Sequence, residues 1–385
     1  ERDLRLLGLV ALEDPPRPGV EDVLRSCRRA GVRVAMVTGD HPETAAAIAR
    51  EIGLLGEGDP VVVGAELPED LDRLGELLDR DGLVVARVAP EDKLRIATAL
   101  RRRGHVVAMT GDGINDAPAL READIGVAMG KSGTDVAREA ADVVLLDDNF
   151  ETIVIAIAQG RTTFANIRRF LTYHLADNVA ELAPFIVWAL TGGRFPLAIG
   201  VLQVLALDIG TDVFPSLALG AEPPDKKALD GPPVRGHLLD RHLMIRAFAV
   251  LGLVEASVAL TAFVVSLYAG GWRPGQEFPT GTTLLVASGA AFTAIVLGQA
   301  ANAFACRSVV HPVWAMKVHA NPLLVAAVGI ELVLLLLLLY LPPVAHLLGH
   351  TGPSLAGFAV AAAAIPAVIF ADALYKRFRH GDRPL

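Results

Sequence analysis

The chain has 385 residues, 52% of them hydrophobic, with a mean hydropathy of +0.45 and a formal net charge of −8. That composition is too apolar for a soluble globular protein and too charged for a pure membrane bundle. No basic stripe interleaved with aromatics is present, which excludes a nucleic-acid binder. Charged residues crowd into roughly the first 170 positions, so the acidic balance belongs to a water-facing part.

From Leu4 to about Asp147, short β-branched runs alternate with helical patterns. Strands are expected at Leu6–Leu12, Val32–Thr38, Leu83–Val88, Val106–Thr110, Ile125–Val127 and Val143–Leu146. Helices are expected near Val20–Ala30, Pro42–Ile52, Pro90–Arg102, Ala117–Glu122 and Gly133–Ala140. Strand followed by helix, repeated, predicts a Rossmann-like parallel sheet covered on both faces, with ligands beyond the C-terminal strand ends. The segment 150–169 is amphipathic, carries Arg161, Arg168 and Arg169, and suits a stalk entering a membrane. The domains are accordingly expected at 1–149, 150–169 and 170–385.

Six apolar stretches follow, at about 170–191, 197–219, 244–269, 282–306, 322–341 and 354–375, each long enough to cross roughly 30 Å of hydrocarbon. Alternate links are basic: Lys226, Lys227, Arg235 and Arg241 in one, Arg307 and Lys317 in another, and Lys376, Arg377, Arg379 and Arg383 in the tail. The intervening links hold only Arg194 and Arg273. The positive-inside rule puts both termini in the cytoplasm, with an even number of spans. Cys27 and Cys306, the only cysteines, have no ligand-type neighbours, so neither a disulfide nor a thiolate site is expected. The chain begins at Glu1 without Met or a signal-peptide pattern and reads as the C-terminal part of something longer.

Three pieces of the first part point to phosphate. Thr38 ends a strand, where its hydroxyl and the following amides suit a phosphoryl oxygen. Lys93 opens a helix and offers a point charge. Asp112 and Asp116 flank Gly113 and Asn115 on a tight loop, a carboxylate arrangement that suits Mg²⁺. Taken singly, Thr38-Gly39-Asp40 reads as a strand-to-helix cap with Asp40 as N-cap, and Lys93 as a solvated helix residue. Packing explains neither the double Gly nor the Asp–Asn–Asp set.

Ionisable groups inside spans default to function. Asp177, Asn178 and Glu181 share one helix face, and Asp208, Thr211 and Asp212 repeat that spacing in the next span. Gly210 and Pro215 loosen that second helix and free carbonyls as further oxygen ligands, so the group predicts a hard-cation site. Gln299 and Asn302 read equally as ligands or as polar links between helices. Glu331 and Asp372 are read as facing water or a neighbour, and Glu255 is left without a role.

The segments Asp14-Pro-Pro-Arg17, Met36-Val-Thr-Gly-Asp40, Ala86-Arg-Val-Ala-Pro-Glu-Asp-Lys93 and Met109-Thr-Gly-Asp-Gly-Ile-Asn-Asp-Ala-Pro-Ala-Leu120 resemble the phosphorylation domain of P-type ATPases. That domain has the haloacid-dehalogenase-like α/β fold. The resemblance continues through Asp147-Asp-Asn-Phe150, Gly160-Arg161 and Asn166-Ile-Arg-Arg-Phe170 into the helical transmembrane part, and is closest to type II cation pumps. It implies an ATP-driven cation pump working through an aspartyl phosphate, with Mg²⁺ as cofactor and ATP as substrate. Thr38 and Lys93 would contact the aspartyl phosphate. Asp112 would bind Mg²⁺, with Asn115 and Asp116 supporting, and Asp14, Gly39 and Asp40 would lie on the nucleotide side. Asn178, Glu181, Asp208, Thr211 and Asp212 fall on family ion ligands, while Asp177, Gln299 and Asn302 would be additional ones.

The resemblance also implies a multi-pass protein of the cell membrane. The family's Asp-Lys-Thr-Gly-Thr and Thr-Gly-Glu motifs, the nucleotide-binding and actuator domains and the first four spans are absent from this sequence, so these residues alone are expected not to turn over ATP. Asp208 and Gln299 resemble sodium/potassium pumps, and Asp177 fits neither those nor calcium pumps. Two other readings stand beside the pump: a phosphatase domain of the same fold on a membrane anchor, and a truncated non-catalytic membrane remnant.

Overall fold

A computed structural model describes residue 8 and residues 15–224, 228–232 and 237–380. The chain divides into two compact units, Glu1–Arg161 with Lys226–Val234, and Thr162–Asp225 with Arg235–Leu385. In chain order the first unit contains α1 (Val20–Arg29), β1 (Met36–Val37), α2 (Pro42–Glu51), β2 (Val61–Val63), α3 (Leu71–Leu78), β3 (Val84–Ala86), α4 (Pro90–Arg102), β4 (Ala108–Gly111), α5 (Ala117–Glu122), β5 (Ile125–Met129), α6 (Asp135–Ala140) and β6 (Val143–Leu145).

All pairings are parallel, but the described strands form two three-stranded sheets rather than one, ordered β1-β3-β2 and β4-β5-β6. The strand expected at Leu6–Leu12 lies, apart from Gly8, outside the described residues. β3 is central, and Val84, Val85 and Ala86 are wholly buried, as a strand covered on both faces requires. Alternate residues serve opposite faces: Val84 and Ala86 pack with Leu24, Ala45, Ala49 and Leu54, while Val85 packs with Leu74, Leu78, Ile96 and Ala99.

Local chemistry sets the helix starts. Asp70 caps α3 by accepting from the Asp72 and Arg73 amides. Pro90 occupies the first turn of α4, where a missing N–H costs nothing, and Arg101 and Arg102 close its last turn. The first unit also ties the link at 228–231 to itself, because Arg161 donates to the carbonyls of Ala30, Ala228 and Gly231.

Helix α7 (Glu151–Leu190) runs 40 residues, and the boundary between the units falls inside it. Beyond it lie α8 (Val201–Gly220), α9 (Arg241–Ala269), α10 (Thr282–Cys306), α11 (Pro322–Tyr340), α12 (Pro342–Leu348) and α13 (Leu355–Arg379). Five of these, all but α12, are long and apolar enough to cross a membrane. The sixth expected span, 170–191, is the second half of α7; His174, Asp177, Asn178 and Glu181 keep its mean hydropathy below that of the others. The chain is a multi-pass membrane protein. Small residues from Ala287 to Ala303 make α10 the hub: 78% of its span is buried, against 28–39% for the other four.

Two basic groups depart from their expected surroundings. Arg307 and Lys376 are not solvated link charges, being 5% and 2% exposed. Of water or a neighbour, the two readings of Glu331 and Asp372, burial leaves the neighbour: both are fully buried, and Asp372 pairs with Arg246 at 2.7 Å and with Lys376.

Candidate functional site

The phosphate-type residues stand on the loops that leave β1 and β4 and on the first turn of α4. After β1, the Thr38 hydroxyl donates to Asp40 Oδ2 at 2.9 Å and accepts from the Asp40 amide at 3.1 Å. The N-cap of α2 is His41 rather than the expected Asp40; its ring accepts from the Glu43 amide. Asp40 is thus held by Thr38 and remains exposed. Gly39 is exposed beside it, and Asp14 lies outside the described residues.

After β4, Asp116 organises the loop. Its Oδ2 accepts from the amides of Asp112 (3.3 Å) and Gly113 (3.1 Å), and its Oδ1 meets Lys93 Nζ at 2.5 Å. A Cβ on Gly111 would lie 2.5 Å from Asp116 Cβ, so only glycine admits Asp116 there. With both Asp116 oxygens engaged, the exposed Asp112 carboxylate and Asn115 amide are the loop's open ligands. One free carboxylate with an exposed side-chain amide oxygen fits Mg²⁺, which takes one or two carboxylates and completes its shell with phosphate and water. No cluster of three or more His, Cys, Asp or Glu side chains suited to a metal occurs among the described residues. Lys93 and Asp116 come together, and Thr38 and Asp40 come together; no hydrogen bond joins the two pairs among the described residues.

A neighbouring loop is held by Asp148, whose backbone is left-handed at φ 55°. Its carboxylate accepts from the Lys131 amide at 2.9 Å and the Ser132 amide at 2.8 Å. The Lys131 bond leads in drawing its pKa down to about 2, against the opposing effect of partial desolvation and with the Ser132 bonds assisting. Arg17 closes the same loop by donating to Asp148 O (3.1 Å) and Ser132 Oγ (3.5 Å).

The second unit gathers the acids predicted in the spans. Leu207–Asp212 is a π-helical turn in the middle of α8, the loosening that Gly210 and Pro215 led us to expect. It carries Asp208, Thr211 and Asp212. The Thr211 hydroxyl lies 3.0 Å from Leu207 O and 3.1 Å from Gln299 Oε1. Gln299 Nε2 in turn donates to Glu181 Oε1 at 3.2 Å. A chain of oxygen-bearing side chains therefore links α7, α10 and α8 at one level. Asn302 Nδ2 donates to Asp177 Oδ1 at 2.9 Å, one turn along α10. Gln299 and Asn302 thus each donate to a carboxylate of α7, Glu181 and Asp177 respectively. Asp208 is half-buried and its carboxyl faces Glu181. Asn178 is also half-buried, and no side-chain hydrogen bond joins it to the group among the described residues.

One member was not expected. His174 Nδ1 lies 2.5 Å from Asp212 Oδ2 and its ring stacks on Phe170. Its position three and four residues before Asp177 and Asn178, on the same helix face, was the available signal.

Residues 196–378 match the family described as cation transporting ATPase, C-terminus. Residues 1–124 match a haloacid dehalogenase-like hydrolase family, and residues 94–157 a second family of the same description. The calcium-transporting ATPase of Bacillus subtilis (strain 168) is 37% identical over 98% of this chain and 41% of its own length. The sodium/potassium-transporting ATPase subunit alpha of Hydra vulgaris is 38% identical over 71% of this chain and 30% of its own length. The potassium-transporting ATPase alpha chain 2 of Cavia porcellus is 40% identical over 70% and 29%. The chain thus spans 29–41% of the length of these relatives.

Proposed function

Because this chain belongs to the P-type cation-transporting ATPases, we propose that it carries part of the phosphoryl-transfer site and most of the cation site of an ATP-driven pump working through an aspartyl phosphate. The observation that supports this reading best is the link from Glu181 through Gln299 to Thr211, beside Asp212 and Asp208. It assembles hard oxygen donors from three helices in a membrane bundle, where ionisable groups are costly unless used.

Lys93 supplies a positive charge for phosphoryl oxygens and is steadied by Asp116; the Thr38 hydroxyl would exchange its bond to Asp40 for one to a phosphoryl oxygen. Asp112 and Asn115 would hold Mg²⁺, which when bound neutralises charge on the transferred group. The Asp that accepts the phosphoryl group would come from outside these 385 residues, as would the actuator and nucleotide domains and four spans. The division expected from sequence into 1–149, 150–169 and 170–385 assigns these parts to a phosphorylation domain, a stalk and a transmembrane domain. The basic links favour cytoplasmic termini, and the family resemblance favours residence in the cell membrane.

The test is cation-stimulated ATPase activity and phosphoenzyme formation in the longer protein that contains this chain. Asp212→Asn is expected to abolish the cation dependence, and Asp112→Ala to abolish Mg²⁺-dependent phosphoenzyme. Cation activation unchanged in the first variant would remove the site from α7 and α8. Normal phosphoenzyme in the second would remove Asp112 from the chemistry.

A further inference from the structure

Glu255 is a buried acid that the site described above does not use. It lies in α9, is fully buried, and belongs to a helix that supplied none of the ligands expected from sequence. Two glycines put it where it is. At Gly252, one turn earlier, an added Cβ would lie 2.7 Å from Ala176 O and 2.6 Å from Val179 Cβ, so α9 rides against the backbone of α7. At Gly298 of α10, an added Cβ would lie 3.0 Å from Glu255 Cγ. The glutamate side chain therefore occupies the space between α7 and α10, against the carboxyl of Asp177.

What faces it there is unusual. Asp177 Oδ1 is satisfied by Asn302, but Asp177 Oδ2 and both oxygens of Glu255 meet no donor. In their ionised forms these are acceptors facing acceptors, out of water. The other titratable groups that interact with Glu255 are acidic as well: Glu181 from α7, Asp212 from α8, the Cys306 thiol at the end of α10, and Glu331 from α11 with both its oxygens unsatisfied. No Lys or Arg ion pair reaches Asp177, Glu255 or Glu331 among the described residues. Burying a carboxylate without a partner costs several kcal/mol even after relaxation, and two in contact repel besides. One positive charge would leave such a pair in deficit. A dication that takes carboxylate and carbonyl oxygens in an irregular shell, as Ca²⁺ does, matches both the charge and the donor set.

We propose that Glu255 and Asp177 form a further lobe of the cation site, that Asn302 orients it, and that this lobe selects a divalent cation. The inference rests on the cation-site reading given above and adds to it a ligand from α9 and the charge class of the ion. The lobe is tested by equilibrium binding of radioactive Ca²⁺ to the purified protein in detergent, with Mg²⁺ in excess. Glu255→Gln, which keeps shape and removes charge, is expected to weaken Ca²⁺ binding about tenfold or more, within the range for losing a residue that supports a metal site. Its thermal midpoint without Ca²⁺ should match or exceed that of the unaltered chain, because the repulsion is gone. Glu255→Asp, which keeps the charge but retracts it, should also lose affinity. If Glu255→Gln binds as tightly as the unaltered chain while Asp212→Asn does not bind, the lobe is overturned and the proposed function stands. If neither variant changes binding, the cation site itself is misplaced. If the unaltered chain binds no Ca²⁺, the divalent assignment is wrong.

Discussion

Replacing Arg307 with Met removes the guanidinium from a carboxylate that the fold has taken out of water. Arg307 Nη2 lies 2.7 Å from Glu222 Oε1, and its Nε lies 3.1 and 3.2 Å from the two carboxylate oxygens. The side chains are 4% and 11% exposed. In the variant Glu222 keeps a single neutral donor, Asn321 Nδ2 at 2.7 Å. Truncating one member of a buried pair costs about 3–5 kcal/mol, and the residual exposure of Glu222 favours the lower end, about 3 kcal/mol. For a unit of this size each kcal/mol moves the midpoint by roughly 2–4 °C, so the expected loss is about 6–12 °C. The assay is thermal unfolding of the purified chain in detergent, followed by the fluorescence of Trp188, Trp272 and Trp314, all of which lie in the second unit. Combining Glu222→Leu with Arg307→Met should restore most of the loss, since apolar replacements of a whole buried pair are often neutral. A single-variant shift under about 2 °C, or a double variant as unstable as the single one, would refute the reasoning.

Two further predictions concern the first unit. Gly111→Ala would force a methyl group within 2.5 Å of Asp116 Cβ, displacing the carboxylate that holds Lys93 and the loop amides; Mg²⁺ affinity measured by titration calorimetry should fall by about 10–100-fold. Asp148 has a folded pKa of about 2, below its unfolded value of about 3.9. Its contribution is therefore complete above the unfolded value and is lost as pH falls through the folded one. Acid unfolding followed by circular dichroism should show a weaker pH dependence between about pH 4 and pH 2 in Asp148→Asn than in the unaltered chain; identical profiles would contradict the role given to the Lys131 and Ser132 amides.

Much of this molecule was legible in its sequence, because the signals concerned are local. Alternating strand and helix patterns foretold parallel pairing, and Gly210 with Pro215 foretold an irregular turn in α8. The i, i+3 and i, i+4 spacing of Asp177, Asn178 and Glu181 set them on one helix face before any contact was known. Local reading missed β2 and α3, although elements as short, such as β6 and α6, were expected. It misjudged Asp40, since Thr38 holds that carboxylate and His41 caps the helix instead.

The sequence by itself thus determined the two-part character of the chain, the carboxylates of the loop at Asp112–Asp116 and the acids placed inside the spans. The tertiary structure alone decided which of those acids meet. His174 against Asp212, Arg307 against Glu222 and Glu255 against Asp177 join residues 38, 85 and 78 positions apart. Such partnerships depend on how closely two helices approach, which glycines such as Gly252 and Gly298 permit but no periodicity encodes.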